Sequence, residues 1–286
     1  MQAVESQMTG WSIGPDDPPP VEVFNTTGRA KVIFLCDHGS NAIPRDLHGL
    51  GLEEHLRHRH IAWDRGTRQV ARDLSARFDA PMVKCGYSRL VIDANRRPDH
   101  PQSIPRVSDG FEIPGNQALT DVEIRYRINA IFKPYHRAVH KRIRHLRERG
   151  MVPAIISIHS FTPALSCNLP RPWHIGVLWN RDPRIAVPLI DRLERIPGVC
   201  VGDNEPYHYS NPEGYTLPLH AERQGYPHVL IELRKDLIRT REEVHHWADL
   251  LAQALAGIIS NRGLYRIERS EERRGGKECR SRWAPY

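Results

Sequence analysis

Short apolar segments of strand length alternate with segments of helical period along most of this 286-residue chain. The predicted strands are KVIFLC (31–36), PMVKC (81–85), RLVIDA (89–94), AIISIH (154–159), HIGVLW (174–179), VCVGD (199–203) and HVLIELR (228–234). The predicted helices cover 64–78, 120–149, 183–195 and 240–259. Strands that are apolar on both faces and alternate with helices indicate an α/β fold, in which a mostly parallel or mixed central sheet has helices on both faces.

Two of these helices carry a recognisable start signal. Thr120 with Glu123, and Thr240 with Glu243, have the spacing of a capping box, and Gly150 marks the end of the first of the two helices. The chain has no G-x-G-x-x-G and no G-x-x-x-x-G-K motif. Nucleotide-binding versions of the α/β architecture therefore lose their main support.

The composition bears on compartment and redox state. No apolar run approaches the ~20 residues that a membrane-spanning helix needs. The N-terminus, with Glu5, Asp16 and Asp17, lacks the basic region of a signal peptide. These features predict a cytoplasmic protein with no membrane association. The five cysteines are odd in number and show no C-x-x-C spacing, which favours reduced thiols over disulfides or a thiolate metal site.

Polar residues follow or end several of the predicted strands. They are Asp37, His38, Asn95, Arg96, His159, Glu232 and Arg234. Because ligands of open α/β sheets bind beyond the carboxyl ends of the strands, these side chains are candidates for one site. Two imidazoles and a carboxylate can hold Zn²⁺ and leave a position for water, whose pKa the metal lowers to roughly 7. A second carboxylate can then accept a proton, and an arginine can bind an anionic substrate.

Each of these residues also has a purely structural interpretation. A histidine after a strand, such as His38 or His159, is commonly a hydrogen-bonded turn residue. Glu232, between apolar neighbours in a central strand, can be buried in an ion pair with Arg234 or another arginine. The sequence has no H-E-x-x-H motif, so the helix of the common zinc proteases is absent.

Five strings of the sequence resemble the N-formylglutamate amidohydrolase family. In order they are DHGSNAIP, AWDRG, YSRLVIDANRR, SIHSFTP and NPEGYTLPLHAERQGYPHVLIELRKDLI, and the resemblance covers roughly residues 30–258. It implies a phosphorylase/hydrolase-like fold related to zinc carboxypeptidases and aspartoacylases. It also implies cleavage of the formamide of N-formyl-L-glutamate to formate and glutamate.

The resemblance implies a metal site as well. His38 and His159 match the two zinc histidines. The carboxypeptidase relatives have a glutamate three positions after the first histidine, where this chain has Asn41, a poor zinc ligand. Asp64 in AWDRG matches the third ligand that the amidohydrolases use instead, although an aspartate at this position can equally cap the following helix. The expected metal is Zn²⁺, and nitrogen and oxygen ligands also suit other divalent transition metals.

The resemblance assigns further roles around the metal. Asn95 and Arg96 match the pair that binds the substrate carboxylate, and Glu232 matches the general base, with Arg234 as a further substrate contact. Apolar neighbours would raise the pKa of Glu232, which suits a group that accepts and returns a proton. Asp37 either orients His38 from outside the ligand set or caps the turn.

The predicted organisation has three parts. Residues 1–29 form an extended N-terminal arm, 30–265 the α/β catalytic domain, and 266–286 a basic tail that is disordered or artificial. The tail has seven Lys and Arg against four Glu, and so contributes a large part of the net charge of +7. Because it mixes acidic with basic residues, nucleic acid is not the expected partner.

The leading hypothesis is zinc-dependent hydrolysis of the amide of a small N-acyl amino acid, with N-formyl-L-glutamate as the lead substrate. One alternative is a carboxypeptidase-like peptidase or amidase that acts on peptides or cell-wall fragments. The other is a non-catalytic binding module that uses the basic surface. The sequence leaves the oligomeric state open.

Overall fold

The computed structural model describes residues 11–164, 171–209 and 214–268. The strands of the main sheet are β1 (Val21–Phe24), β2 (Val32–Cys36), β3 (Met82–Cys85), β6 (Ala154–Phe161), β7 (Ile175–Leu178), β8 (Val201–Asp203) and β9 (His228–Arg234). A separate hairpin consists of β4 (Val107–Ser108) and β5 (Phe111–Glu112).

The main sheet is mixed. Its strand order is β1-β3-β2-β6-β9-β7-β8. The neighbours β3 and β2, β2 and β6, β6 and β9, and β7 and β8 are parallel, whereas β1 runs antiparallel to β3 and β7 antiparallel to β9. Strand β2 is buried at every position, as its unbroken apolar sequence predicts. The predicted α/β fold with a mostly parallel or mixed sheet is confirmed.

Helices cover both faces of this sheet. They are α1 (Glu54–Arg57), α2 (Thr67–Arg77), α3 (Asp121–Arg127), α4 (Lys133–Glu148), α5 (Pro183–Leu193), α6 (Thr216–His220) and α7 (Arg241–Ile259). Helices α2, α5 and α7 bury their apolar residues on the face that contains Phe34 of β2. Helix α4 packs on the opposite face with Ile33 and Leu35. Alternate residues of one strand therefore supply two separate cores.

Both predicted capping boxes are present. The Thr120 hydroxyl accepts a hydrogen bond from the Glu123 N–H at 3.3 Å, and the Glu123 carboxylate accepts one from the Thr120 N–H at 2.7 Å. Thr240 and Glu243 repeat the arrangement at the start of α7. Helix α3 continues through the π-helical turn Ile128–Phe132 into α4, so the single long helix predicted after Thr120 is confirmed.

The prediction of a strand at 89–94 is wrong. These residues form turns, because side chains take up backbone groups that a neighbouring strand would otherwise pair. The buried guanidinium of Arg127 donates to the Val91 carbonyl at 3.0 Å and to Asn116 Oδ1 at 2.7 Å, and the amide of Asn116 donates to the Leu90 carbonyl at 2.8 Å. The apolar residues of this segment are nevertheless buried, which explains the strand-like sequence.

Both predicted terminal segments contain residues that pack on the domain. Residues 21–24 of the predicted arm form the edge strand β1. At the other end, the Glu268 N–H donates to the Gly225 carbonyl at 3.1 Å, and Glu268 lies 3.3 Å from the guanidinium of Arg184. Contacts with the domain thus extend past residue 265, and the remainder of the predicted tail, 269–286, lies outside the described residues.

No helix within the described ranges is long and apolar enough to cross a membrane, and the cytoplasmic location stays a prediction. Cys36, Cys85 and Cys200 are free thiols, and Cys167 and Cys279 lie outside the described residues.

Candidate active site

The three central strands bring the predicted site residues to one edge of the sheet. His38 lies two residues after the end of β2, His159 lies within β6, and Glu232 lies within β9. Strands β2, β6 and β9 are adjacent and parallel, and His159 and Glu232 are direct partners in the β6–β9 register. The position of these residues at the ends of the strands therefore follows from the topology of the sheet.

The carboxylate of Asp64 lies between the two histidines. Its Oδ2 is 3.4 Å from His38 Nδ1 and 3.2 Å from His159 Nδ1, and the two imidazole centroids are 4.9 Å apart. Gly66, rather than Asp64, occupies the N-cap position of α2, with no side-chain cap. Of the two interpretations of Asp64, the structure places its carboxylate in the geometry of a ligand.

Two further carboxylates hold the remaining imidazole nitrogens. His38 Nε2 lies 2.7 Å from Asp93 Oδ1, and His159 Nε2 lies 2.9 Å from Asp37 Oδ2. Asp37 thus contacts His159 and not the adjacent His38, whose orientation by Asp37 was one of the two interpretations that the sequence left open. Because the Nε2 atoms are held in this way, both Nδ1 atoms face Asp64, which is the arrangement that carboxylates impose on metal-binding histidines.

Asp37 is almost fully buried and accepts several hydrogen bonds. The Tyr135 hydroxyl donates to its Oδ1 at 2.6 Å and the Thr216 hydroxyl donates to the same atom at 2.8 Å, while Ser157 donates to Oδ2 at 3.0 Å. Burial acts to raise the pKa of the Asp37 carboxyl, but its hydrogen bond to His159 and the charge of that ring hold the pKa below its usual value. Asp37 is therefore an ionised anchor with a fixed orientation.

His38, Asp64 and His159 fit a metal ion. One ligand atom from each lies within 4.8 Å of the others, and all three residues are buried. His38 Nδ1 is buried and has no hydrogen-bond partner among the described residues, so a lone pair is available there. Two imidazole nitrogens and one carboxylate oxygen form the ligand set of many catalytic zinc sites.

The electrostatics of the cluster also favour a cation. Burial acts to lower the pKa of His159, but its hydrogen bonds to Asp37 and Asp64 raise this pKa to about 10. The pKa of the Asp64 carboxyl lies below its usual value, because His38 and His159 outweigh the effect of burial. The surrounding carboxylates thus stabilise positive charge at this point of the molecule, whether on a proton or on a metal ion.

Glu232 lies in the same cavity and has no strong partner. Its Oε2 is buried and makes no hydrogen bond within the described part of the chain. Burial raises the pKa of its carboxyl to about 7, the charge of His159 acting to lower it and that of Asp64 to raise it. An unpaired carboxyl group with a pKa near neutrality matches the requirement for a general base.

Asn95 and Arg96 line the cavity beside the cluster. Asn95 Oδ1 accepts hydrogen bonds from the N–H groups of Tyr215 and Thr216 at 2.8 and 2.9 Å, so the side chain is fixed. Arg96 is mostly buried and donates to the Asn95 carbonyl at 3.0 Å. The two residues place amide and guanidinium groups beside the Asp64 cluster.

Two residues considered in the sequence lie elsewhere. Arg234 does not line the cavity, and its guanidinium donates to Asp236 at 2.9 Å and to the carbonyls of 171–173. Glu232 is therefore not paired with Arg234, and Arg89, which lines the same cavity, forms its ion pair with Asp93. Asn41 donates to the Arg57 carbonyl at 3.3 Å and lies outside the cavity, so it does not complete the metal cluster.

Sequence reasoning missed two residues of the site. Asp93 holds both His38 and, at 2.7 Å, the guanidinium of Arg89, which lines the cavity. The available signal was the pair of opposite charges in SRLVIDAN. Arg89 and Asp93 flank the three apolar residues 90–92, and Asn95 follows two residues later. The predicted strand obscured this signal, since a regular strand would separate their side chains along its length.

Replacing Asp37 by asparagine is expected to weaken Zn²⁺ binding about 10–100-fold, the usual effect of losing a carboxylate that supports a metal-binding histidine. The amide keeps the size of the side chain but not the charge that orients His159. The dissociation constant can be measured by competition with a chromophoric chelator, with folding checked by circular dichroism. Asp99→Asn is the matched control, because Asp99 is exposed and forms an ion pair with Arg97. Equal affinity of the Asp37 variant and the wild type would contradict this role.

The cavity lies at the carboxyl ends of the central strands of a mixed sheet, which is where α/β enzymes have their active sites. The fold and the position of the cavity therefore define an α/β protein of the enzyme type. The family model of N-formylglutamate amidohydrolase matches residues 30–239. The chain belongs to this family, and the predicted resemblance is confirmed. Membership identifies the protein as an amidohydrolase.

Two solved structures are similar to this chain. The crystal structure of gene product Atu2144 from Agrobacterium tumefaciens is 35% identical to this chain, with a TM-score of 0.79, and the match covers 84% of this chain and 96% of that one. N-formylglutamate amidohydrolase from Ralstonia eutropha JMP134 is 18% identical, with a TM-score of 0.59 and coverage of 84% and 97%, and shares the fold. A search among curated proteins found no match.

Proposed function

We propose that this protein is a metal-dependent amidohydrolase that cleaves the amide bond of an N-acyl amino acid. The lead substrate is N-formyl-L-glutamate, which would give formate and glutamate. One observation carries the proposal: His38 Nδ1 and His159 Nδ1 converge on Asp64 Oδ2 in the cavity that also holds the unpaired carboxyl group of Glu232.

His38, Asp64 and His159 would hold the metal, with Zn²⁺ as the expected ion and other divalent transition metals as alternatives. Such an ion supplies Lewis-acid chemistry, polarising the acyl carbonyl and making water more acidic. Asp93 and Asp37 keep the two imidazoles oriented for this purpose.

Glu232 moves the proton in the proposed reaction. Its carboxylate accepts a proton from the attacking water and delivers it to the amine nitrogen as the amide bond breaks. A raised pKa, about 7, makes this carboxyl group a stronger base than an ordinary glutamate and still leaves it largely ionised above neutrality. Its buried Oε2 has no competing hydrogen bond from the described residues.

Asn95 and Arg96 bind the substrate carboxylate. A guanidinium can hold a carboxylate through two parallel hydrogen bonds, and this fixes orientation as well as position. The cavity has a volume of about 180 Å³. Because drug-sized ligands occupy pockets of about 300–1,000 Å³, this smaller cavity supports a single acylated amino acid better than a peptide.

The direct test is release of formate from N-formyl-L-glutamate by protein loaded with one equivalent of Zn²⁺. We expect turnover that depends on the metal, measured with a coupled formate dehydrogenase assay. The matched control is the loaded Glu232→Gln variant from the same preparation, which should give background rates. No product from N-formyl-L-glutamate or from any other N-acyl amino acid would refute the proposed function.

A further inference from the structure

One wall of the cavity carries no charge. It consists of Leu178, Leu217, Pro218 and Leu230. Leu178 and Leu217 are almost fully buried, whereas Leu230 is only partly buried although it lies in a central strand. We call these four residues the apolar wall.

Two residues of the apolar wall, Leu230 and Leu178, lie on β9 and on the neighbouring strand β7. Leu230 lies two residues before Glu232 in β9, so the two side chains point to the same face of the sheet. Leu178 of β7 is the direct register partner of Leu230. Strand β7, with Leu178, lies next to β9 on one side, and β6, with His159 of the metal cluster, lies next to β9 on the other. The pair of leucines therefore extends from the proposed general base in the direction away from the metal cluster.

The other half of the apolar wall adjoins the carboxylate anchor. Leu217 and Pro218 belong to α6, and the N–H groups of Tyr215 and Thr216, where this helix starts, donate to Asn95 Oδ1. In an amino acid, the carboxylate and the side chain branch from the same carbon atom. A substrate held by Asn95 and Arg96, with its acyl group toward Asp64, therefore has its side chain beside α6.

The charges around the apolar wall disfavour a second carboxylate. Arg89 lines the cavity, but Asp93 holds its guanidinium at 2.7 Å. A glutamate side chain against the wall would lose its hydration without gaining an ion pair from Leu178, Leu217 or Leu230.

We propose that the apolar wall is the side-chain subsite and that this enzyme selects N-formyl amino acids with uncharged, apolar side chains, such as leucine, over N-formyl-L-glutamate. The inference rests on the proposed hydrolysis of N-acyl amino acids, and within that class it replaces N-formyl-L-glutamate as the preferred substrate. Glutamate fits the volume of the site but not its polarity.

The test compares kcat/KM for the N-formyl derivatives of L-leucine, L-glutamine and L-glutamate with Zn²⁺-loaded protein. Glutamine has the shape of glutamate without its charge, so the series separates charge from size. We expect leucine to exceed glutamate by about tenfold or more, the scale on which apolar contacts discriminate substrates, with glutamine between them. Equal or better hydrolysis of the glutamate compound would overturn the inference and leave the proposed function standing.

A binding experiment distinguishes a failure of the proposed subsite from a failure of the proposed hydrolytic function. Calorimetry on the Zn²⁺-loaded Glu232→Gln variant measures the affinity for each N-formyl compound without turnover. If no compound is hydrolysed by the wild type but the leucine derivative binds more tightly than the glutamate derivative, the subsite is supported and the proposed function fails. Tighter binding of the glutamate derivative would overturn the subsite.

A variant tests the apolar wall itself. Leu230→Gln places a polar amide in the wall and should reduce the leucine-to-glutamate ratio of kcat/KM about fivefold or more, within the range that one altered apolar contact can produce. Val107→Gln, a similar change at an exposed valine of the β4–β5 hairpin, should leave the ratio unchanged. An unchanged ratio in a folded, active Leu230 variant would contradict the assignment.

Discussion

Replacing Glu232 by glutamine is expected to lower kcat for N-formyl amino acid hydrolysis about 10²–10⁴-fold, the usual contribution of a positioned general base. Glutamine has the shape of glutamate but cannot accept the proton of the attacking water. Because Glu232 contributes no ligand atom to the His38, Asp64 and His159 cluster, Zn²⁺ content should remain at the wild-type value. Retained metal with lost turnover would separate the base from the ligands, whereas wild-type kcat in this variant would refute the role.

The pH profile gives an independent readout of the same group. The base works only when it is ionised, so kcat/KM of the wild type should rise with increasing pH and reach a plateau above the pKa of Glu232. Without a metal this pKa is about 7. A bound cation beside Glu232 stabilises the carboxylate, so the rising limb should be centred at or below that value. A rate that falls through this range with increasing pH would contradict the assignment.

Replacing Asp64 by asparagine is expected to weaken Zn²⁺ binding more than about 100-fold, beyond the effect of losing a supporting carboxylate. The amide keeps the shape but lacks the negative charge that lies between His38 and His159. Metal content after dialysis, measured by mass spectrometry, should fall with activity. Activity of the wild type should likewise be lost with a chelator and restored by Zn²⁺.

Asn41→Ala is the control for the Asp64 variant, because Asn41 occupies the position at which carboxypeptidases have their glutamate ligand. Its amide donates to the Arg57 carbonyl outside the cavity, so its loss should leave metal affinity unchanged. Metal loss in the Asn41 variant together with normal binding in the Asp64 variant would reverse the ligand assignment. Thermal unfolding of both variants identifies any loss that is due to misfolding.

The sequence was sufficient for the main features of the fold. Strand β2 is apolar throughout, and alternation with helices is enough to predict a covered sheet with a mostly parallel core. The same logic placed His38, His159 and Glu232 together, because parallel strands end on one side. Asp64 required the family resemblance, since in the sequence it precedes a helix and does not follow any predicted strand.

Other features of the site depend on contacts that no local pattern reveals. Asp93 reaches His38 only because the segment around it is irregular, and that shape depends on Arg127, more than thirty residues further along the chain. The choice of Asp37 for His159 depends on the packing of β2 beside β6. Hydropathy and residue spacing predict helices and strands, but they do not predict which buried polar groups contact each other.

The turns of residues 89–96 contribute both to the proposed metal site and to the proposed substrate site. In the proposed reaction, Asp93 orients the metal ligand His38, Asn95 and Arg96 bind the substrate carboxylate, and Arg127 holds the preceding turn through the Val91 carbonyl. Changes within this segment would then disturb metal and substrate binding together. The proposed apolar wall lies outside this segment, so a change at Leu178, Leu217 or Leu230 would alter the choice of amino acid and leave the contact of Asp93 with His38 intact.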